Sequence, residues 1–297
     1  MKKIVIAGAG ATGKAAARLM NPNRVEFLGY ADNDPDTWTE PDGSMPKHWD
    51  SSDGRMPVFS VQTAVELKPD EFLISALDKE RARAIAEQLK VCRFYGDIVQ
   101  LHDINEDFDI RSRCLRDLAE RLTDVQGDAA EVGVYRGDLA WQINELMPER
   151  DLYLFDTFEG FDEADLVTER AYALSNAEAG EFSDTSVGDV LCRMINPIKC
   201  HIRKGHFPET SEGLENKKFA FVSMDPGLYE PAFAGMEFFY PRINEGGIMI
   251  VGNFSNTRFR GVRQAVRDYE RKIVSEGEAP LKMVPLGDLH GSCVIIK

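Results

Sequence analysis

The feature that most restricts the fold of this chain occurs twice. A short apolar, β-branched run breaks into a glycine-bearing turn, a helical segment follows, and the next strand-like run closes on an aspartate. First, residues 3–7 lead into Gly8-Ala-Gly-Ala-Thr-Gly13, residues 14–20 are Ala-rich and helical, and residues 25–31 end at Asp32. Second, residues 129–134 run into Glu131-Val-Gly-Val-Tyr-Arg-Gly137, residues 139–147 are helical, and residues 152–155 end at Asp156. This order is the grammar of a βαβ unit, whose strands must be parallel because a helix returns the chain to the same edge of the sheet.

Each occurrence continues in the same grammar, so the chain is read as α/β with two Rossmann-like domains. In the first, 57–60 and 71–77 are strands, and 61–67 and 78–89 helices. Residues 36–57, rich in Pro, Gly and Asp, form a long loop, and the unit ends near residue 100. That length holds half of a dinucleotide fold. Residues 101–124 form a connecting helix with Leu115, Leu118 and Leu122 on one face. The second domain, 125–297, adds a loop over 157–185, a helix at 187–194, and strands at 200–203 and 219–224. It then adds a helix at 230–240, a strand at 247–251 behind Gly246-Gly247, a helix at 260–272, and a closing antiparallel pair at 281–285 and 292–296.

Charge narrows the partners. With 35 basic and 50 acidic side chains the chain carries −15, a surface that repels phosphate backbones and anionic lipid. Nucleic acid and membrane surfaces are therefore not expected. Five scattered cysteines without a CxxC argue against a disulfide framework or structural zinc and for reduced thiols in a cytoplasm. No apolar run reaches membrane-spanning length, and the first residues read as a strand rather than a signal peptide.

The residues placed to carry chemistry sit at the strand ends. Gly8, Gly10 and Gly13 allow a phosphate to approach the backbone at a helix N-terminus, and Asp32 stands where an acid reaches ribose hydroxyls. The alternative is that these glycines only pack the helix on its strand. Gly133 and Gly137 leave room for the carboxylate and amine of a ligand, and Asp156 can accept both hydroxyls of a ribose. This predicts Asp156 facing the 133–137 turn across a cleft sized for an adenosyl group; a capping or solvated Asp156 is the alternative. Asp225, closing the strand at 219–224, is open to three roles: oxygen ligand to a divalent ion, base, or start of a loop. Of His201 and His206, His206 beside Gly205 is the better catalytic candidate.

Several blocks taken in order resemble the macrocin O-methyltransferase (TylF-like) family. They are Glu131–Gly137, Phe155-Asp-Thr-Phe-Glu-Gly-Phe161, Gly205-His-Phe-Pro-Glu-Thr210, Met224-Asp-Pro-Gly-Leu-Tyr-Glu-Pro231 and Tyr240-Pro-Arg-Ile-Asn-Glu-Gly-Gly247, continuing to Gly261-Val-Arg-Gln-Ala-Val266. The resemblance implies a class I S-adenosylmethionine (SAM) fold and methylation of a hydroxyl on a sugar or small metabolite. It implies SAM held by Glu131, Gly133, Gly137, Asp156 and Thr157, with Gly205 and His206 near the adenine. It also implies a small-molecule acceptor such as a sugar or glycoside, and self-association into a homo-oligomer. The family's magnesium site uses an Asp matched by Asp225 and an Asp-Asp pair, which here is Gly252-Asn253; an acid two residues past the first Asp is here Gly227. One carboxylate and one amide are a poor cage for a hard cation, so no metal ligands are assigned and magnesium is not expected. That leaves Asp225, His206 or a residue of the 162–185 loop to take the hydroxyl proton, with Asp225 and His206 the named catalytic candidates.

The first 100 residues also resemble the small NAD-like N-terminal domains found beside sugar-modifying enzymes, through residues 4–13, Gly29-Tyr-Ala-Asp-Asn-Asp-Pro35 and Met56-Pro-Val58. The resemblance implies NAD or a sugar nucleotide as ligand. Two functions from different classes follow: a SAM-dependent O-methyltransferase working without the family metal, or a catalytically silent SAM- or nucleotide-sugar-binding protein acting as sensor or partner.

Overall fold

The computed structural model describes residues 1–39, 56–107 and 109–297. These divide into two compact units, Met1–Asp109 and Ile110–Lys297. Most of the loop expected over 36–57 lies outside the described residues.

The first unit is a five-stranded sheet of β1 (Lys2–Ala7), β2 (Val25–Ala31), β3 (Val58–Phe59), β4 (Glu71–Ile74) and β5 (Asp97–Gln100). All neighbours are parallel, in the order β3-β2-β1-β4-β5. Helices α1 (Ala11–Leu19), α2 (Val61–Glu66) and α3 (Lys79–Val91) connect the strands. Ser60 and Asp78 cap α2 and α3 by accepting the N–H of Thr63 and Arg81, satisfying amides that have no partner inside the helix. Val5, Ala7, Phe72 and Ile74 point into a core closed by Ala82 and Leu89 of α3. β5, which no apolar run marks, extends the sheet beyond the half-fold expected.

The second unit is a seven-stranded sheet: β6 (Asp128–Val132), β7 (Leu152–Asp156), β8 (Cys200–Lys204), β9 (Phe219–Met224), β10 (Ile243–Val251), β11 (Lys282–Pro285) and β12 (Cys293–Ile296). Its order is β11-β12-β10-β9-β6-β7-β8. Five strands are parallel, and β12 runs antiparallel to both β10 and β11. The direction of strand addition reverses at β6, between β7 and β9. Phe219, Phe221, Val222 and Met224 of β9 are fully buried, as a strand covered on both faces requires.

Two expectations are corrected. The single helix expected over 101–124 is two, α4 (Leu101–Asp107) in the first unit and α5 (Ile110–Arg121) in the second. The apolar stripe Leu115, Leu118 and Leu122 joins the second unit's core beside Ile143 and Val294, so α5 is part of that domain rather than a linker. The loop expected over 157–185 contains α7 (Glu163–Ala171), capped by Asp162, which accepts the N–H of Ala164. The remaining helices are α6 (Asp138–Leu146), α8 (Val187–Arg193), α9 (Tyr229–Phe239) and α10 (Arg260–Ser275).

Candidate functional site

Backbone hydrogen bonds tie the ends of five parallel strands into one continuous edge. Gly205 N donates to Asp156 O (3.0 Å), Gly133 N to Phe155 O (2.9 Å), Asp225 N to Val132 O (2.8 Å) and Gly252 N to Met224 O (2.8 Å). Gly133, Asp156, Gly205 and Asp225, taken from four separate sequence blocks, therefore stand side by side at the carboxyl ends of the strands. This is where open α/β sheets leave a crevice for ligands, at the point where strand order reverses.

Gly133 has φ +83°, and a Cβ there would lie 2.3 Å from the carbonyl oxygen of Asp225, so only glycine lets the two strand ends approach. Gly137, at φ +76°, caps α6, whose N-terminus opens onto the same edge. Between them, Asp156 Oδ2 accepts the N–H of Val134 (2.7 Å) and of Tyr135 (2.8 Å), and Oδ1 accepts the N–H of Phe158 (2.7 Å). This corrects the expected geometry. The carboxylate does not face the glycine turn across an open cleft but is bonded to it, using about three of a carboxylate's four lone-pair sites. Thr157 is similarly drawn into its own turn, its hydroxyl donating to Gly160 O (2.8 Å). Open space lies alongside: a cavity of about 550 Å³ lined by Thr157, Gly160, Phe161, Lys204, Gly205 and His206 among others.

A cover lies over the turn. Tyr135 donates its hydroxyl to Asp184 (2.7 Å), Arg136 pairs with the same carboxylate, and the Thr185 hydroxyl donates to Tyr135 O. Phe182 packs edge-on against both Tyr135 and Phe161. None of these partners is marked in the sequence, because each contact joins residues about 20–50 positions apart.

Both ring nitrogens of His206 are engaged. Its Nδ1 lies 2.7 Å from Glu209 and its Nε2 2.9 Å from Asp165. Burial works against its charge, but the two carboxylates outweigh it and push the pKa up to about 8. In the charged form that this favours, both nitrogens donate to the carboxylates. His201 sits near the opposite end of its strand, 3.1 Å from Asp151 and stacked on Tyr153, a structural position.

Asp225 is also engaged. Its Oδ2 accepts from Arg111 Nη1 of α5 (2.8 Å) and its Oδ1 from Asn253 Nδ2 (2.7 Å). Gly252 is required here, since a Cβ would lie 2.2 Å from Asp225 Oδ1. Glu131 lies below, fully buried, with Oε1 3.4 Å from the Ser223 hydroxyl and Oε2 without a hydrogen-bond partner among the described residues. Burial pushes its carboxyl well above the usual carboxylate range, against the pull of Arg111. Gly227, in place of a further acid, has φ +76°, and a Cβ there would strike the Phe161 ring at 2.9 Å.

In the first unit the same device recurs. Asp32 Oδ2 accepts the N–H of Ala9 (2.8 Å), so this carboxylate too is tied to its glycine turn. A Cβ on Gly8 would lie 2.4 Å from Ser75 Oγ, and one on Gly13 2.0 Å from Gly8 O, whereas Gly10 has nothing within 4 Å. Packing thus accounts for two of the three glycines and leaves Gly10 unexplained by the fold.

The sequence pattern of the family described as Macrocin-O-methyltransferase (TylF) matches residues 109–286. The chain belongs to this family. The matched segment takes in the whole edge from Glu131 to Asn253 and includes Arg111, which the sequence reading missed; a single Arg on an amphipathic helix gives no signal of its destination. Among curated relatives of this TylF-family chain is 8-demethyl-8-(2,3-dimethoxy-alpha-L-rhamnosyl)-tetracenomycin-C 4'-O-methyltransferase from Streptomyces olivaceus, 25% identical over 162 residues, 49% of this chain and 58% of that protein. The match thus spans less than two thirds of that relative's length. Among solved structures, the O-methyltransferase NovP is 20% identical, with 63% of this chain and 79% of that chain covered and a TM-score of 0.48. The calicheamicin methyltransferase CalS11 is 17% identical, with 84% and 94% covered and a TM-score of 0.48. Among the described residues no helix is long and apolar enough to cross a membrane.

Proposed function

We propose that this TylF-family chain is a SAM-dependent O-methyltransferase acting on a hydroxyl of a sugar or sugar-bearing small metabolite. The observation that carries the reading is the pinned turn: Gly133–Gly137 and Asp156 form one preorganised element at the reversal point of the sheet. The name of the Streptomyces relative, a sugar-directed 4'-O-methyltransferase, supports the acceptor class. On this reading the turn and the α6 N-terminus hold the methionine end of SAM, and the remaining lone pair of Asp156 meets a ribose hydroxyl. The cavity beside Thr157 and Gly205 takes the adenine. SAM bound there would supply a methyl group to an acceptor hydroxyl placed near Asp225, and the hydroxyl proton would go to solvent or to Asp225. The five cysteines, all free thiols, suit work in a reducing cytoplasm.

The magnesium site of the family is not built here. Asp225 already carries a guanidinium, Gly252 offers no ligand, and the Asn253 amide turns its nitrogen toward the carboxylate while its oxygen accepts from Asn256 (2.9 Å). These donors do not suit a cation that binds several oxygens.

The test is incubation of the purified chain with SAM and a panel of sugar nucleotides and glycosides, following S-adenosylhomocysteine release and product mass. Methyl transfer to one sugar class is the expected result. SAM binding without turnover over the panel would favour the silent sensor or partner, and absence of SAM binding would overturn both.

A second reading concerns the first unit: NAD or a sugar nucleotide approaches the backbone at Gly10. Calorimetry of the full chain should detect one of these ligands and lose it in Gly10→Val with little change in melting temperature, since a Cβ at that position meets nothing within 4 Å. Equal binding by wild type and Gly10→Val would remove the idea.

A further inference from the structure

We infer that Arg111 is a built-in counter-cation: its guanidinium occupies, on Asp225, the place a divalent ion takes elsewhere in this family. The inference deepens the proposed function and rests on it for the role of the edge.

Four observations converge. Arg111 is buried, with 9% of its surface exposed, although it lies in the first turn of a helix whose other arginines are on or near the surface. Burying a guanidinium is unfavourable unless it is paired, and its pairing here is a direct bond of 2.8 Å to Asp225 from 114 residues away. The opposite carboxylate oxygen is taken by Asn253, whose own orientation is fixed by Asn256 and, through it, by the N–H of Arg258 (2.8 Å). Asp225 is thus held on both oxygens by donors, a closed arrangement in which a metal ion and the guanidinium would compete for the same oxygen. Finally, the charge of Arg111 also acts on Glu131, opposing the effect of its burial, so the guanidinium serves two carboxyl groups, Glu131 and Asp225, rather than one.

The consequence is a methyl-transfer edge whose positive charge is covalently supplied. A fixed guanidinium offers a planar fork of donors, whereas a divalent ion offers a coordination shell with exchangeable water. Arg111 acts through Asp225, holding its carboxylate aimed along the edge, and is therefore a positioning residue.

The test reads metal directly, by loss of the free Mn²⁺ signal in electron paramagnetic resonance, on four full-length proteins. Wild type and Asn253→Asp, both with Arg111 in place, should leave Mn²⁺ free. Arg111→Met combined with Asn253→Asp removes the cation and restores a second carboxylate, and should bind Mn²⁺ at least about tenfold more tightly than either, since affinity follows ligand charge. Arg111→Lys, which keeps the charge, should again leave Mn²⁺ free. Melting temperature and SAM affinity of the wild type should not change between added Mg²⁺ and EDTA. Stoichiometric Mn²⁺ binding by wild type, lost in Asp225→Asn, would overturn the inference. So would equal Mn²⁺ affinity of Asn253→Asp with and without Arg111. Because none of these readouts needs an acceptor, a failure to find methyl transfer would count against the proposed function and leave this inference standing.

Discussion

Replacing Asp156 with Ala is expected to abolish measurable SAM binding and to lower the stability of the second unit by about 2–4 kcal/mol. Three backbone N–H groups, those of Val134, Tyr135 and Phe158, end on this one side chain. A hydrogen bond to a charged acceptor contributes about 1.5–3 kcal/mol, and a buried donor left without a partner costs about 1–3. The three losses overlap, because the turn relaxes as a unit and water reaches part of it. Binding should suffer more than stability, since the ligand meets a turn no longer held in shape. A fall of at least about a hundredfold in affinity, about 2.7 kcal/mol, is expected by calorimetry. Asp156→Asn should lie between, because an amide oxygen accepts as the carboxylate does while its nitrogen opposes the remaining N–H. Wild-type affinity in the Ala variant would remove Asp156 from the cofactor site and with it the main support for the proposed function.

Gly133→Ala is the second large effect. The backbone at 133 is left-handed, a conformation costing a non-glycine residue about 1–2 kcal/mol, and the added methyl would lie 2.3 Å from Asp225 O and 3.0 Å from Pro226 N. Both are backbone atoms at strand ends, so no side-chain rotation relieves the contact; overpacking of this kind costs about 1–3 kcal/mol more. The melting temperature should fall on the order of 10 °C for a unit of this size, and SAM binding should fall with it as β6 and β9 separate. Gly180→Ala is the control: it shares the positive φ, but nothing lies within 4 Å of the new methyl, so it should show the conformational cost alone. Equal losses in the two variants would show that the close approach of Gly133 to Asp225 is unimportant.

The strand and helix pattern was legible because period-two and period-3.6 apolar spacing survives in buried elements. β2 and β9 fall on the residues the sequence marks, 25–31 and 219–224, and the closing antiparallel pair is also where it was expected. The short edge strand β5 and the polar helix α7 escaped notice, since neither buries a continuous apolar stripe. Glycine turns and strand-end acids were equally visible, being local. What each acid does was not. Asp156 reads from sequence as a ligand-facing carboxylate and proves to be bonded to the turn it faces; His206 reads as a base and is occupied by two carboxylates.

Neighbours along the chain were enough to mark two series of alternating strands and helices, most of their elements, and the residues that reach the carboxyl edge of the second sheet, because strand ends and glycine turns are local features. Which charges meet there was settled by packing. Arg111 and Asp225 are 114 residues apart, as are His206 and Asp165 by 41; such pairs are fixed by where packed helices deliver their side chains, and no spacing along the chain records that.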